Sequence, residues 1–282
     1  MLTYQVERRD SFQSVFIKEA FNLGLQSTRS VNESRVINLP GVTNLRDTGG
    51  YPAGNGALTR WGTLLRSGTM NGLNPDQSNP LQRIGLRTIV DLRRPSEITN
   101  DPQPPLISET GTASYHNVSL LTDDIEAARK ANNYLLPDIY RAMIDTAQSE
   151  VAETIGILAE PNAFPALVRC TAGKDRTGII IALLLRVAGV PDDTIVYDYA
   201  LSQKSMESEE FINFQQAHIL ARGNDWDFYR RNFLISPADF MRDALAHIDQ
   251  EYGSACGYMQ AIGVDVSTMN HLRQVLTQPR SI

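Results

Sequence analysis

Ala163-Phe-Pro-Ala-Leu-Val-Arg169-Cys170-Thr-Ala-Gly-Lys-Asp-Arg176-Thr177-Gly178-Ile-Ile-Ile181 is the stretch that decides how this chain folds. An apolar run suited to a buried strand leads into Cys170. Thr171, Ala172, Gly173, Lys174 and Asp175 form a tight loop, and Arg176 opens a helix that continues through Ile179–Leu185. Gly173 supplies the freedom for a sharp turn, and Gly178 lets the helix approach its neighbours closely.

Other runs join this one. Thr63–Arg66, Arg87–Leu92, Ser114–Leu121 and Ala163–Cys170 read as strands. Helical patterns lie at Asp123–Lys130, Pro137–Leu158 and Thr177–Ala188, the last closed by Gly189. Asn79-Pro80 with Gly85 frames a short helix, and Asn55-Gly56 marks a turn between two extended runs. Pro191 with Asp192 and Asp193 opens a further helix. Ser236-Pro237-Ala238-Asp239 is an N-cap signature for another, which Gly253 ends. Strands alternating with helices predict an α/β fold: a central, mostly parallel sheet flanked by helices, with a helical C-terminal part. Its active site is expected at the carboxyl ends of the strands. Residues 1–36, with the amphipathic stretch Phe12–Leu25, read as an N-terminal extension, and 37–282 as the main domain. Residues 203–235 mix charges with Phe211, Phe214, Trp226, Phe228, Tyr229 and Phe233. They read as a helical insertion or a lid over the site.

Composition limits the function classes. The chain has 282 residues, 42% hydrophobic and 21% charged, in the range of a folded globular protein. A net charge of −6 argues against nucleic-acid binding, which needs a basic face. The start lacks the apolar core of a signal peptide, and Ile179–Leu185 is far shorter than the about 20 residues that span a bilayer. The expectation is a soluble, cytoplasmic protein without stable membrane insertion. The 2 cysteines, Cys170 and Cys256, form no disulfide framework. Cys256 reads as buried, with a protective disulfide to Cys170 as the alternative. His116, His218, His247 and His271 show no metal spacing, and neither metal nor cofactor is expected. Nothing specifies an oligomeric state.

The loop carries a chemistry. Backbone N–H groups at a helix N-terminus create an anion site, and the same field favours a thiolate at Cys170. The planar fork of Arg176 suits two phosphate oxygens. Thr177 can offer its hydroxyl to the departing sulfur. Together they fit nucleophilic attack on phosphorus, a cysteinyl-phosphate, and its hydrolysis. A nucleotide-binding phosphate loop would need Gly at 168 and Ser or Thr after Lys174, where Val168 and Asp175 stand. Gly54-x-Gly56 lacks the third glycine of a dinucleotide loop.

Cys-Thr-Ala-Gly-Lys-Asp-Arg-Thr-Gly resembles the signature of the bacterial and fungal tyrosine/serine phosphatase family, within the protein tyrosine phosphatase superfamily. Asn44-Leu-Arg-Asp-Thr-Gly-Gly-Tyr51, Leu65-Arg-Ser-Gly68, Ile89-Val-Asp-Leu-Arg93 and Tyr252-Gly-Ser254 support it, so the resemblance covers roughly residues 37–277. It implies a tyrosine-phosphatase-like fold acting on phosphotyrosine, with dual specificity or phosphoinositides as further substrates. It also places Arg46 and Asp47 near the substrate; the bland reading is a solvated ion pair in a Gly-rich turn. Where the family usually carries His before the nucleophile, this chain has Arg169. Arg169, Lys174 and Arg176 form a basic trio suited to a polyanionic head group.

A general acid must protonate the leaving oxygen. No Trp-Pro-Asp occurs. Asp175 is the first candidate, since family members carry an Asp there; its bland role is to brace the loop. Asp123 and Asp124, after the third strand, come second, and Asp138 fits a helix start better. Asp91, ending the second strand, can orient Lys174 or Arg176, or simply cap its strand. Two further readings stay open: a phosphate-binding module without turnover, and sulfur or arsenate chemistry on a similar loop.

Overall fold

The computed structural model describes residues 35–70, 81, 84–100, 113–132 and 134–280. Its core is a five-stranded sheet. In chain order its strands are β1 (Arg46–Asp47), β3 (Leu64–Ser67), β4 (Thr88–Asp91), β5 (Ser114–Asn117) and β6 (Ala166–Arg169). The spatial order is β1-β3-β6-β4-β5, with only the β1–β3 pair antiparallel. β6 is central and wholly buried, and the register sets Asp91 beside Arg169. Both therefore end at the carboxyl edge, where an open parallel sheet places its site. A two-stranded ribbon joins β2 (Ala57–Thr59) to β7 (Thr277–Pro279).

Helices cover the sheet: α1 (Pro95–Asn100), α2 (Asp123–Asn132), α3 (Leu136–Thr146), α4 (Gln148–Ala159), α5 (Asp175–Ala188), α6 (Asp192–Ala200), α7 (Ser202–Met206), α8 (Glu209–Ala221), α9 (Trp226–Phe233), α10 (Ala238–Tyr252), α11 (Ala255–Ala261) and α12 (Val266–Leu276). α5 is apolar on nearly every face because it is a central pillar, packed by α3, α6, α11 and α12. Gly189 closes it in the left-handed conformation, φ 82°, as the sequence predicts.

Some expectations change. The pattern over Pro137–Leu158 is two helices, broken at Ala147, because α3 packs on α5 and α10 while α4 packs on α12. One straight rod cannot face both. The third strand stops at Asn117, short of Leu121. Ser236 does not cap α10; Pro237 takes that position, and the Ser236 amide donates to Gln203 Oε1 at 2.7 Å. Cys170 and Cys256 are both free thiols. The Asn79-Pro80 start and the Phe12–Leu25 stretch lie outside the described residues. No helix among the described residues is long and apolar enough to cross a membrane.

Candidate active site

Cys170 follows β6 directly and is buried, and the loop after it runs into α5 at Asp175. Three donors hold the loop from behind. The Thr69 amide donates to Thr171 O at 2.7 Å. Asn44 Nδ2 donates to Ala172 O and Gly173 O, both at 3.0 Å, and Arg66 Nη2 reaches Gly173 O at 2.8 Å. Across a planar trans peptide the C=O and the next N–H point in opposite directions. Tying those three carbonyls backward therefore turns the N–H groups of Ala172, Gly173 and Lys174 to the other side. No backbone N–H from Thr171 to Arg176 meets a carbonyl, carboxylate or hydroxyl acceptor among the described residues. Such a row of free donors at a helix start is an anion cradle.

Gly173 makes the turn possible. Its φ is +63°, and a Cβ there would lie 2.4 Å from the Ser67 carbonyl carbon. Farther along, a Cβ at Gly178 would stand 3.2 Å from the Tyr199 ring.

Arg176 is oriented by a residue that the sequence reading missed. Its Nη1 donates to Glu97 Oε2 at 2.6 Å and its Nη2 to Glu97 Oε1 at 2.9 Å. Glu97 also accepts from Thr171 Oγ1 at 2.6 Å. Burial pushes the Glu97 carboxyl up, but the charge and hydrogen bonds of Arg176, with Thr171, outweigh it and hold the group well below the usual carboxylate range. Burial disfavours charge on Arg176 too; Glu97 and Cys170 more than offset this and push its proton affinity up. Arg176 Nε makes no hydrogen bond among the described residues, so it is left for a ligand.

Asp175 Oδ1 accepts from the Tyr140 hydroxyl and forms an ion pair with Lys174 Nζ at 2.8 Å. Lys174 is wholly buried, and its ammonium donates to Phe233 O at 3.1 Å and Ile235 O at 2.7 Å. It bolts the loop to the end of α9 and faces inward. Thr177 Oγ1 is buried with no hydrogen-bond partner among the described residues.

The remaining expected residues have other partners. Arg46 is buried, and its guanidinium meets Asp198 at 3.1 Å, Ser202 Oγ at 3.2 Å and Asn44 Oδ1. Asp198 also binds Arg66 and the Tyr51 hydroxyl, so this ionic knot braces the donors that hold the loop. Asp47 accepts from the amides of Gly49 at 2.7 Å and Gly62 at 2.6 Å. Arg46 and Asp47 are therefore both buried with partners of their own, not a solvated pair. Asp91 meets Arg93 at 2.8 Å and Arg169 at 3.7 Å, not Lys174 or Arg176. Asp123 and Asp124 begin α2, and Asp123 lines a cavity of about 470 Å³ with Arg94, Glu150 and Glu153. Asp138 caps α3 by accepting from the Leu135 amide.

Residues 203–235 fold as helices with their own apolar cluster, Met206, Phe211 and Leu234, against which Ala172 of the loop, Phe214, Trp226 and Tyr229 pack. Tyr229 feels the charges of Asp175, Arg176 and Glu97; burial first, then Asp175, push its hydroxyl up to about 12. Sequence reading marked these aromatics without assigning them. Glu97, Tyr140 and Asp198 carried no local signal, because long-range packing alone brings them to the loop.

The family model described as "Tyrosine phosphatase family" matches residues 37–278. "Triple specificity protein phosphatase PtpB" of Mycobacterium tuberculosis is 27% identical, over 86% of this chain and 99% of its own length. A "Tyrosine-protein phosphatase" of Nostoc commune is 26% identical, over 76% of this chain and 74% of its own. Among solved structures, that of P. aeruginosa TpbA in complex with pTyr is 15% identical, covers 81% of this chain and all of that one, and has a TM-score of 0.38.

Proposed function

This chain belongs to the tyrosine phosphatase family and is a phosphatase, and on that premise we propose that it hydrolyses phosphotyrosine in proteins through a cysteinyl-phosphate. The observation that carries the reading is the row of loop N–H groups between Cys170 and Arg176, turned outward because the carbonyls of Thr171, Ala172 and Gly173 are tied backward. A phosphate dianion in the cradle accepts from the loop N–H groups and from Arg176 Nε. Cys170 Sγ attacks phosphorus as the P–O bond to the leaving group breaks, and Asp175 protonates the leaving oxygen. In the second step Asp175 takes a proton from water, which attacks phosphorus. The thiolate departs with the Thr177 hydroxyl beside it.

Tyr229, Trp226 and Phe214, beside the loop, suit an aromatic leaving group. A phosphoinositide would need cations for a second phosphate. Lys174 faces inward to Asp175 and two carbonyls, and Arg169 is buried against Asp91, which favours the protein substrate.

Phosphate release from phosphotyrosine, phosphoserine and inositol-lipid panels tests this, with Cys170→Ser alongside. Fast turnover of phosphotyrosine peptides, blocked by vanadate and absent in the variant, is the expected result. Tight phosphopeptide binding by the wild type without phosphate release would make the protein a binding module instead.

A further inference from the structure

Two buried tyrosines outside the loop have an unusual arrangement. Tyr140, on α3, and Tyr199, on α6, bring their hydroxyls to 2.7 Å, and the Tyr140 hydroxyl donates onward to Asp175 Oδ1. Their rings meet edge to face, 6.1 Å apart. A hydroxyl has one proton and two acceptor lone pairs. If Tyr140 donates to the carboxylate, its oxygen is free to accept from Tyr199, so the chain has one direction: Tyr199 to Tyr140 to Asp175. Lys174 Nζ forms an ion pair with the same Oδ1 at 2.8 Å. Oδ2 takes no hydrogen bond from the described residues.

We propose that Tyr140, backed by Tyr199, is a positioning residue that decides which oxygen of Asp175 carries the acid's proton. With the Tyr140 donor and the Lys174 charge both at Oδ1, a proton arriving on the carboxyl sits on Oδ2, the oxygen left free. Asp175 then gives that proton to the leaving oxygen, and the carboxylate that remains keeps the Tyr140 hydrogen bond and the Lys174 ion pair. In the second step Oδ2 is again the free acceptor for a proton from water. Without the Tyr140 hydroxyl the carboxyl can rotate and place its proton on either oxygen, and transfer loses its alignment.

This inference rests on Asp175 being the acid, and the test separates the two. kcat/KM is measured on p-nitrophenyl phosphate, whose leaving group is stable as an anion, and on phenyl phosphate, whose leaving group needs the proton. The enzymes are wild type, Tyr140→Phe, Tyr199→Phe, Asp175→Asn and the Tyr140→Phe/Asp175→Asn double variant. Tyr140→Phe should lose about tenfold on phenyl phosphate and less than about twofold on p-nitrophenyl phosphate. Tyr199→Phe, one step farther back, should lose less with the same bias, and it stands in should Tyr140→Phe fold poorly by thermal melting. Asp175→Asn should lose more than either, and the double variant no more than Asp175→Asn alone. Equal losses on both substrates for Tyr140→Phe, or additive losses in the double variant, overturn the positioning role while leaving Asp175 as acid. Equal losses for Asp175→Asn remove the acid assignment, and this inference falls with it.

Discussion

The carboxylate of Glu97 grips the Arg176 guanidinium at two points, 2.6 and 2.9 Å, and holds its plane fixed before any phosphate arrives. A bidentate pair of this kind restricts rotation as well as adding charge. With Leu92 O and Thr171 Oγ1 accepting the other two Nη protons, Nε is the one Arg176 donor without an acceptor among the described residues.

Glu97→Gln keeps the shape and loses the charge. It should lower kcat/KM for a phosphotyrosine peptide by about tenfold or more, as expected when a charge-assisted hydrogen bond is lost. The pH profile supplies the control. A carboxyl depressed in the folded state stabilises above its unfolded pKa and loses that contribution as pH falls through the folded value. The folded value lies well below the carboxylate range, so Glu97 should add no inflection to activity above pH ~5. Steady-state kinetics across that range checks both points.

Asp47 behaves oppositely. Burial raises its carboxyl to about 6, against hydrogen bonds from the Gly62 and Gly49 amides and the charge of Arg35. The unfolded chain gives up this proton near pH ~4 and the folded chain near 6, so between them the native state binds more protons. Wild-type stability should therefore decline from pH ~4 to ~6 relative to Asp47→Asn, by on the order of 3 kcal/mol, and run parallel above that. Urea titrations of both proteins over pH 4–8 measure the difference.

Lys174→Met tests the buried ammonium. It strips a partner from Asp175 and from the Phe233 and Ile235 carbonyls, so unfolding should become easier by roughly 3–5 kcal/mol. Activity on phosphotyrosine and inositol lipids should fall together. A loss confined to lipid would show that Lys174 serves a second phosphate.

Gly173→Ala should be inactive and destabilised by about 3 kcal/mol or more. The new methyl meets Ser67 and Gly68 backbone, which cannot retreat, and the positive φ adds strain. Calorimetry and phosphate release are the readouts.

Thr177→Val is expected to separate stability from turnover. The threonine hydroxyl is buried and unpartnered in the resting protein, so an isosteric methyl should raise stability by about 1 kcal/mol. If the hydroxyl serves the departing sulfur, kcat should fall while kcat/KM stays near wild type, and phosphoenzyme should accumulate on rapid quench. Unchanged kcat would remove that role.

Wherever the chemistry is local, the sequence alone determined it. The strand into Cys170, the five-residue loop, Arg176 at the helix start and Gly173 at the turn lie within one short window. Their roles follow from backbone geometry and side-chain type. Helix ends set by Gly189 and Gly253 were legible for the same reason, since both adopt the left-handed conformation that glycine tolerates. Orientation and charge were not. Glu97 reaches Arg176, Asn44 and Arg66 reach Gly173, and Tyr140 reaches Asp175 only once the sheet order and the α3–α5 packing exist. Arg46, Asp47 and Asp91 carried the right residue types for a site, yet folding buried them against Asp198, two amides and two arginines. A charged side chain's partner is chosen by whatever the tertiary structure brings within about 4 Å, and chain spacing holds no record of that distance.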